Sequence, residues 1–300
     1  MIVPSYLKPG DHIAIVSPAK AIDPNYLEAA KKHLERWELT VHIGDNAGGR
    51  HHQFSGTDEQ RAADMQEAVN NEKIKAVFCA RGGYGTIRII DKIDFTPLQT
   101  SPKWFIGFSD ITVLHNHLHT HLSLASIHGP VPLNFDVSGG KEALGNLRNL
   151  LFNIPYSFEI PKHPSNRDGE STAQLVGGNL AILAALCGTN SDIDTSEKIL
   201  FLEDVGEYMY RIDRLLWQLK KAGKFNAIAG IAIGQFTSIK DGEPPFGQNI
   251  EDMVLSLVPA GIPVVFNVPS GHEANNQPLI FGADYTLQVN DKQARLILAR

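Results

Sequence analysis

Trp104-Phe105-Ile106-Gly107-Phe108-Ser109-Asp110-Ile111 is the stretch on which the fold turns. An apolar run reaches Phe108, a Ser-Asp pair follows, and a helical pattern starts at once. The preceding residues repeat this alternation. Residues 12–17 form a short apolar run that stops at Pro18, residues 24–37 read as a helix and residues 39–43 as a second strand. Thr57-Asp58-Glu59-Gln60 is a capping box, in which threonine and glutamine side chains satisfy each other's backbone N–H groups, and it opens a helix to about Asn70. Residues 75–80 are a third strand, followed by Arg81-Gly82-Gly83-Tyr84-Gly85; residues 104–108 are a fourth and residues 124–127 a fifth. Strands that alternate with helices build βαβ units, hence an α/β fold with a parallel sheet. Ligands of such sheets bind beyond the carboxyl ends of the strands, where the Arg81–Gly85 loop and Ser109 both fall.

Residues 153–170 lack helical periodicity and are rich in Pro, Asn, Ser and charge. They read as a linker between an N-terminal domain, 1–152, and a C-terminal domain, 171–300. In the latter, Gly177-Gly178-Asn179 opens an apolar helix to about Cys187, and residues 198–202 form a strand ending at Glu203-Asp204. Residues 211–222 form a helix stopped by Gly223, residues 228–236 a strand, 249–258 a helix and 263–267 a strand. Residues 285–298 alternate apolar and polar around Asn290-Asp291, the pattern of a hairpin.

The chain has 300 residues, 43% hydrophobic and 20% charged, which is the balance of a globular protein and not of a disordered one. Its formal charge is −6 with no clustered basic patch, so nucleic acid is not an expected partner. No apolar run is long enough to span a bilayer, and no basic-then-apolar leader pattern opens the chain; the expectation is a cytoplasmic protein without membrane contact. Cys79 and Cys187 sit in apolar stretches and read as two buried free thiols, with a single disulfide left open.

Four groups carry chemistry. Ser109 occupies the strand–turn–helix setting of a nucleophile elbow, where the helix N-terminus lies beside the hydroxyl and its N–H groups can hold an oxyanion. Ile111 stands where the second glycine of that pattern would be, and an N-capping serine is the plain alternative. His272, in Pro269-Ser270-Gly271-His272-Glu273, follows a strand end and suits a general base; the alternative is a surface histidine. Glu203 continues its apolar strand, whereas Asp204 and Glu207 lie further along, so Glu203 is the carboxylate best placed to orient an imidazole. The Arg81–Gly85 loop lacks dinucleotide-binding spacing and reads as an oxyanion loop or a tight turn. His115, His117, His119 and His121 give two i,i+4 pairs on different helix faces, but no third ligand is evident and no metal is expected.

Together these segments resemble the LD-carboxypeptidase family of serine peptidases, which includes microcin-immunity peptidases. The resemblance rests on Gly10-Asp11 through Ser17-Pro18, Arg81-Gly82-Gly83-Tyr84-Gly85, Gly107-Phe108-Ser109-Asp110, Leu175-Val176-Gly177-Gly178-Asn179, Leu202-Glu203-Asp204 and Ser270-Gly271-His272, in order along almost the whole chain. It implies a flavodoxin-like N-terminal domain, a smaller β-rich C-terminal domain and a triad of Ser109, Glu203 and His272. It further implies oxyanion donors at the backbone N–H of Gly83 and Asp110, no cofactor, and a homodimer. The implied substrate is a murein tetrapeptide, cut to release terminal D-alanine during wall recycling. Arg81 and Tyr84 are candidate substrate contacts, Arg81 with an acidic neighbour as the alternative. The rival activities are hydrolysis of an acyl-nucleotide conjugate, non-catalytic ligand binding on the same sheet, and a metal hydrolase built on the histidine run.

Overall fold

In the computed structural model, which describes residues 1–290 and 293–299, His12–Val16 (β1) is buried from Ile13 onward and lies one strand in from the edge of a sheet. The chain then builds α1 (Pro24–Glu35), β2 (Thr40–Ile43), α2 (Asp58–Asn70), β3 (Ile74–Cys79), β4 (Trp104–Gly107), α3 (Thr112–Leu122), β5 (Ser126–His128) and α4 (Lys141–Leu151). It continues with β6 (Gly169–Asn179), α5 (Leu180–Leu186), β7 (Ile199–Val205), α6 (Met209–Lys221), β8 (Gly230–Thr237), α7 (Ile250–Leu257), β9 (Val264–Val265), β10 (Leu279–Phe281), β11 (Asp284–Val289) and β12 (Ala294–Leu298).

Two six-stranded sheets result. The first has the order β10-β5-β4-β3-β1-β2, parallel except for β10. Without β10 this is the flavodoxin-like order, 2-1-3-4-5. The second has the order β12-β11-β6-β7-β8-β9, with β6 to β9 parallel and β11 and β12 antiparallel. The α/β class, the flavodoxin-like half and the β-rich second half are thus as expected.

Local chemistry accounts for most boundaries. The Thr57–Gln60 capping box forms in full at the start of α2. Asn179 accepts from Ile182 N–H and caps α5, while Gly223 takes φ 80° just past α6. The tail hairpin forms as β11 and β12, although Asp291 lies outside the described residues.

Other boundaries differ from the sequence reading. The apolar run at 263–267 contributes only the two residues of β9. β7 runs on through Glu203 and Asp204 to Val205, its register on β8 shifting between Leu202 and Asp204. Residues 169–179 form the long strand β6, whose alternation is hidden by its polar outer face. α4 and β10 lie outside the elements expected from the sequence; β10 is an apolar run of only three residues, too short to show a strand period. Cys79 is buried, but Cys187 is partly exposed at the end of α5, and both thiols are free.

The sheets meet where α3 begins. A Cβ at Gly178 would lie 2.5 Å from the Thr112 side chain, so the close approach of β6 to α3 requires glycine there. Thr112 Oγ1 accepts from Asn179 N–H at 3.0 Å, tying the second sheet to the turn after Ser109.

Candidate active site

β4 ends at Gly107, and Ser109 starts a short 3-10 turn that leads into α3. Ser109 takes φ 64°, left-handed backbone that costs a serine energy and that a packed surrounding must hold in place. Phe108, not Ser109, occupies the cap position before the turn, and Ser109 is the turn's first residue. The N-capping alternative therefore fails, and the hydroxyl stands at a strained strand–helix turn. The turn's leading N–H groups have no acceptor inside the helix and carry its positive dipole end.

The Arg81–Gly85 loop, which follows β3, packs against this turn. A Cβ on Gly82 would come 2.9 Å from Ser109 Cβ and 3.2 Å from Asp110 N. Only glycine lets that backbone lie so close to the hydroxyl. Gly83 is exposed with φ 116°.

Two side chains fix the loop. Asp110 is buried, and its Oδ2 accepts from Thr86 N–H at 2.9 Å, just beyond Gly85. Burial pushes its carboxyl above the ordinary range, against the opposing pull of the Thr86 hydrogen bonds. Arg61 of α2 is buried, donates to the Gly85 carbonyl at 3.0 Å and to the Pro18 carbonyl, and pairs with Asp58. It clips the loops after β1 and β3 to one helix. Nothing local marked Arg61, since an Asp58–Arg61 pair on a helix ordinarily reads as solvated surface charge.

From the second sheet, β7 delivers Glu203, fully buried. His272 lies in the loop between β9 and β10. Its Nδ1–H donates to Glu203 Oε2 at 2.7 Å. Asn276 shapes this loop, its Oδ1 accepting from Gly271 N–H at 2.9 Å and from Ser270 Oγ at 3.2 Å. Gly271 has φ 133°, and a Cβ there would sit 3.1 Å from Glu203 Oε2. The surface-histidine alternative fails: His272 has a buried carboxylate partner. Its ring also packs on Phe108, the residue before Ser109, with centroids 4.9 Å apart. Asp204, beside the acid, is spent on structure, accepting from Asn179 Nδ2 and from the N–H groups of Ala181 and Val205.

His128, at the end of β5, is buried among Phe108, Phe201 and Phe281, and that burial pushes its imidazole well below its ordinary value. Arg81 Nη1 donates to the Ala21 carbonyl at 3.2 Å, and among the described residues Arg81 has no acidic partner. Tyr84 is exposed, its ring 6.0 Å from Phe54.

The histidine run splits up. His115 is buried between Ser126 Oγ and the Gly107 carbonyl, and His117 bonds Ser191 Oγ while stacking on His121. Among the described residues no three His, Cys, Asp or Glu side chains form a metal-binding group, and no helix is long and apolar enough to cross a membrane.

Residues 13–129 match the LD-carboxypeptidase N-terminal domain, and residues 172–287 match the LD-carboxypeptidase C-terminal domain. The chain belongs to the LD-carboxypeptidase family. A relative from Bacillus subtilis strain 168, a probable murein peptide carboxypeptidase, is 34% identical over 97% of this chain and 93% of its own length. The murein tetrapeptide carboxypeptidase of Pseudomonas aeruginosa PAO1 is 34% identical over 93% of both chains. The crystal structure of muramoyltetrapeptide carboxypeptidase from Oxalobacter formigenes superimposes with a TM-score of 0.86 at 30% identity, covering 96% of this chain and 99% of that one. Ser109 lies within the first matched range, and Glu203 and His272 lie within the second.

Proposed function

We propose that this LD-carboxypeptidase relative is a serine carboxypeptidase that releases terminal D-alanine from a murein tetrapeptide. The bond cut joins the L-centre of the penultimate diamino acid to D-alanine. The observation that carries the reading is the 2.7 Å bond from His272 to buried Glu203, with the same imidazole packed on the residue before Ser109.

In this mechanism Glu203 holds His272 as the Nδ1–H tautomer, leaving Nε2 to accept the Ser109 proton. Ser109 Oγ then attacks the penultimate carbonyl. The oxyanion is held by the backbone N–H groups of Asp110 and Gly83, at the helix start and the glycine loop. The C–N bond breaks as imidazolium returns the proton to the amine of D-alanine. Water, deprotonated by His272, attacks the acyl ester and restores Ser109. Arg81 and Tyr84 line the approach. The reading includes a cytoplasmic location, a role in recycling wall peptides, and a homodimer.

The test is release of free D-alanine from a murein tetrapeptide by wild type and by Ser109→Ala, with and without a chelator. Release by wild type alone, unchanged by the chelator, is expected. A wild type that releases none while hydrolysing an acyl-nucleotide conjugate would shift the substrate class, and inertness towards both would favour a binding protein.

A further inference from the structure

A carboxypeptidase has to recognise the free carboxylate of the residue it removes, a demand that an internal peptide bond never makes. That carboxylate lies one Cα beyond the scissile nitrogen, so its partner must sit within a few ångströms of the oxyanion site. The net charge of −6 opposes an anionic ligand in general, so local cations at the site would favour it.

Lys20 is placed for this. It follows β1 at the carboxyl end of the first sheet, and its stem lies against the oxyanion loop. A Cβ on Gly83 would come 2.7 Å from Lys20 Cδ, 2.9 Å from Cγ and 3.2 Å from Cβ. Gly82, the next residue, touches Ser109. Van der Waals contact therefore runs from Lys20 through the two glycines to the candidate nucleophile. Arg81, which opens the same loop, donates to the carbonyl of Ala21, the neighbour of Lys20. Its Nε is buried with no hydrogen-bond partner among the described residues. Neither cation has an ion pair among those residues. The nearby carboxylates are engaged elsewhere, Asp110 by Thr86 N–H and Asp23 by Asn25 N–H at the start of α1. Two cations without ion pairs among the described residues, one on the glycine loop and one packed against it, make this loop a setting for an anion, and a guanidinium suits a carboxylate through paired hydrogen bonds.

We infer that Lys20, with Arg81 behind it, is the subsite for the α-carboxylate of the terminal residue. The inference rests on the carboxypeptidase reading and names its specificity element. An uncharged terminus would lose this contact, whereas the scissile bond and the triad would be unaffected.

The experiment uses the full chain carrying Ser109→Ala, which binds without turnover, and two tetrapeptides that differ only in ending with D-alanine or D-alaninamide. Calorimetry is expected to give at least about tenfold tighter binding of the acid, a difference of about 1.4 kcal/mol. Adding Lys20→Met should bring the acid down to the amide and leave the amide unchanged; adding Lys20→Arg should keep most of the preference. Equal binding of both peptides before any change at Lys20 overturns the subsite, as does a preference that survives Lys20→Met or weakening of both peptides alike. D-alanine release by wild type is measured in parallel. If it occurs and the preference is absent, only the subsite fails; if it does not occur, the parent reading fails and the subsite with it.

Discussion

Arg61 Nη1 donates to the carbonyl of Gly85 at 3.0 Å, so the glycine loop beside Ser109 is positioned by a buried charge on α2. A lysine cannot reproduce a guanidinium fork that reaches Pro18, Gly85 and Asp58 together. Arg61→Lys is therefore expected to keep the charge but loosen the loop, lowering kcat by about 10- to 100-fold with a smaller change in KM. Steady-state kinetics of D-alanine release would check this. A kcat within twofold of wild type would mean that the loop holds its shape without the fork.

Glu203→Gln is nearly isosteric but presents an amide that can turn its N–H towards His272 Nδ1. The imidazole would then adopt the wrong tautomer for accepting the Ser109 proton. A loss of the order of 10³- to 10⁴-fold in kcat is expected, with the fold intact by circular dichroism. A loss below tenfold would show that Glu203 does not orient the base.

Two glycine-to-alanine changes should behave in opposite ways. At Gly82 the new methyl would press on Ser109 Cβ at 2.9 Å and on the Phe108 carbonyl at 3.0 Å, so activity should collapse. Gly145 is exposed inside α4 with nothing within 4 Å of a Cβ, so alanine there should stabilise the protein by ~0.5–1 kcal/mol. Activity assays and urea midpoints on the two variants test the pair. An active Gly82→Ala would remove the close approach from the argument.

Acid should weaken the fold more than carboxylate chemistry alone requires. Burial is the largest cause holding His115, His117 and His119 each down at about 4, and it holds His128 well below its ordinary value. On unfolding these rings regain a value near 6.5, so below that pH the unfolded chain binds protons that the native state does not. Their contribution is intact above about 6.5 and fades as pH falls towards 4, by up to about 1.4 kcal/mol per pH unit for fully buried His115 and by less for the partly exposed His117 and His119, which water screens. Asp204, raised by burial to about 6, works in the opposite direction, as do Asp64 and Asp110, also raised by burial, against the four imidazoles. Urea midpoints at about pH 7.5 and about pH 5 should therefore fall with acid. A flat profile would show that these rings titrate normally in the native state.

Much of this was legible in the chain because it depends on near neighbours. The βαβ alternation, the capping box at Thr57, the cap at Asn179 and the strand–turn–helix at Ser109 are each decided within a few residues by side-chain period, capping hydrogen bonds or glycine freedom. Those signals suffice for the α/β class, and they identify Ser109, Glu203 and His272 as candidates standing at strand ends. Each candidate kept a plain alternative, because a serine before a helix or a histidine in a loop looks the same whether or not it has a partner.

Tertiary structure alone removed those alternatives. His272 and Glu203 are 69 residues apart, and only the packing of their loop and strand puts Nδ1 against a buried carboxylate. Arg61 reads locally as surface charge until α2 packs on the loops after β1 and β3. β10 joins the first sheet from between the strands of the second, β9 before it and β11 after it, a pairing with β5 that no local pattern encodes. The physical reason is the same in each case. Hydrophobic period and capping act over one or two turns of chain, whereas the burial that gives a charge its partner is set by elements distant in sequence.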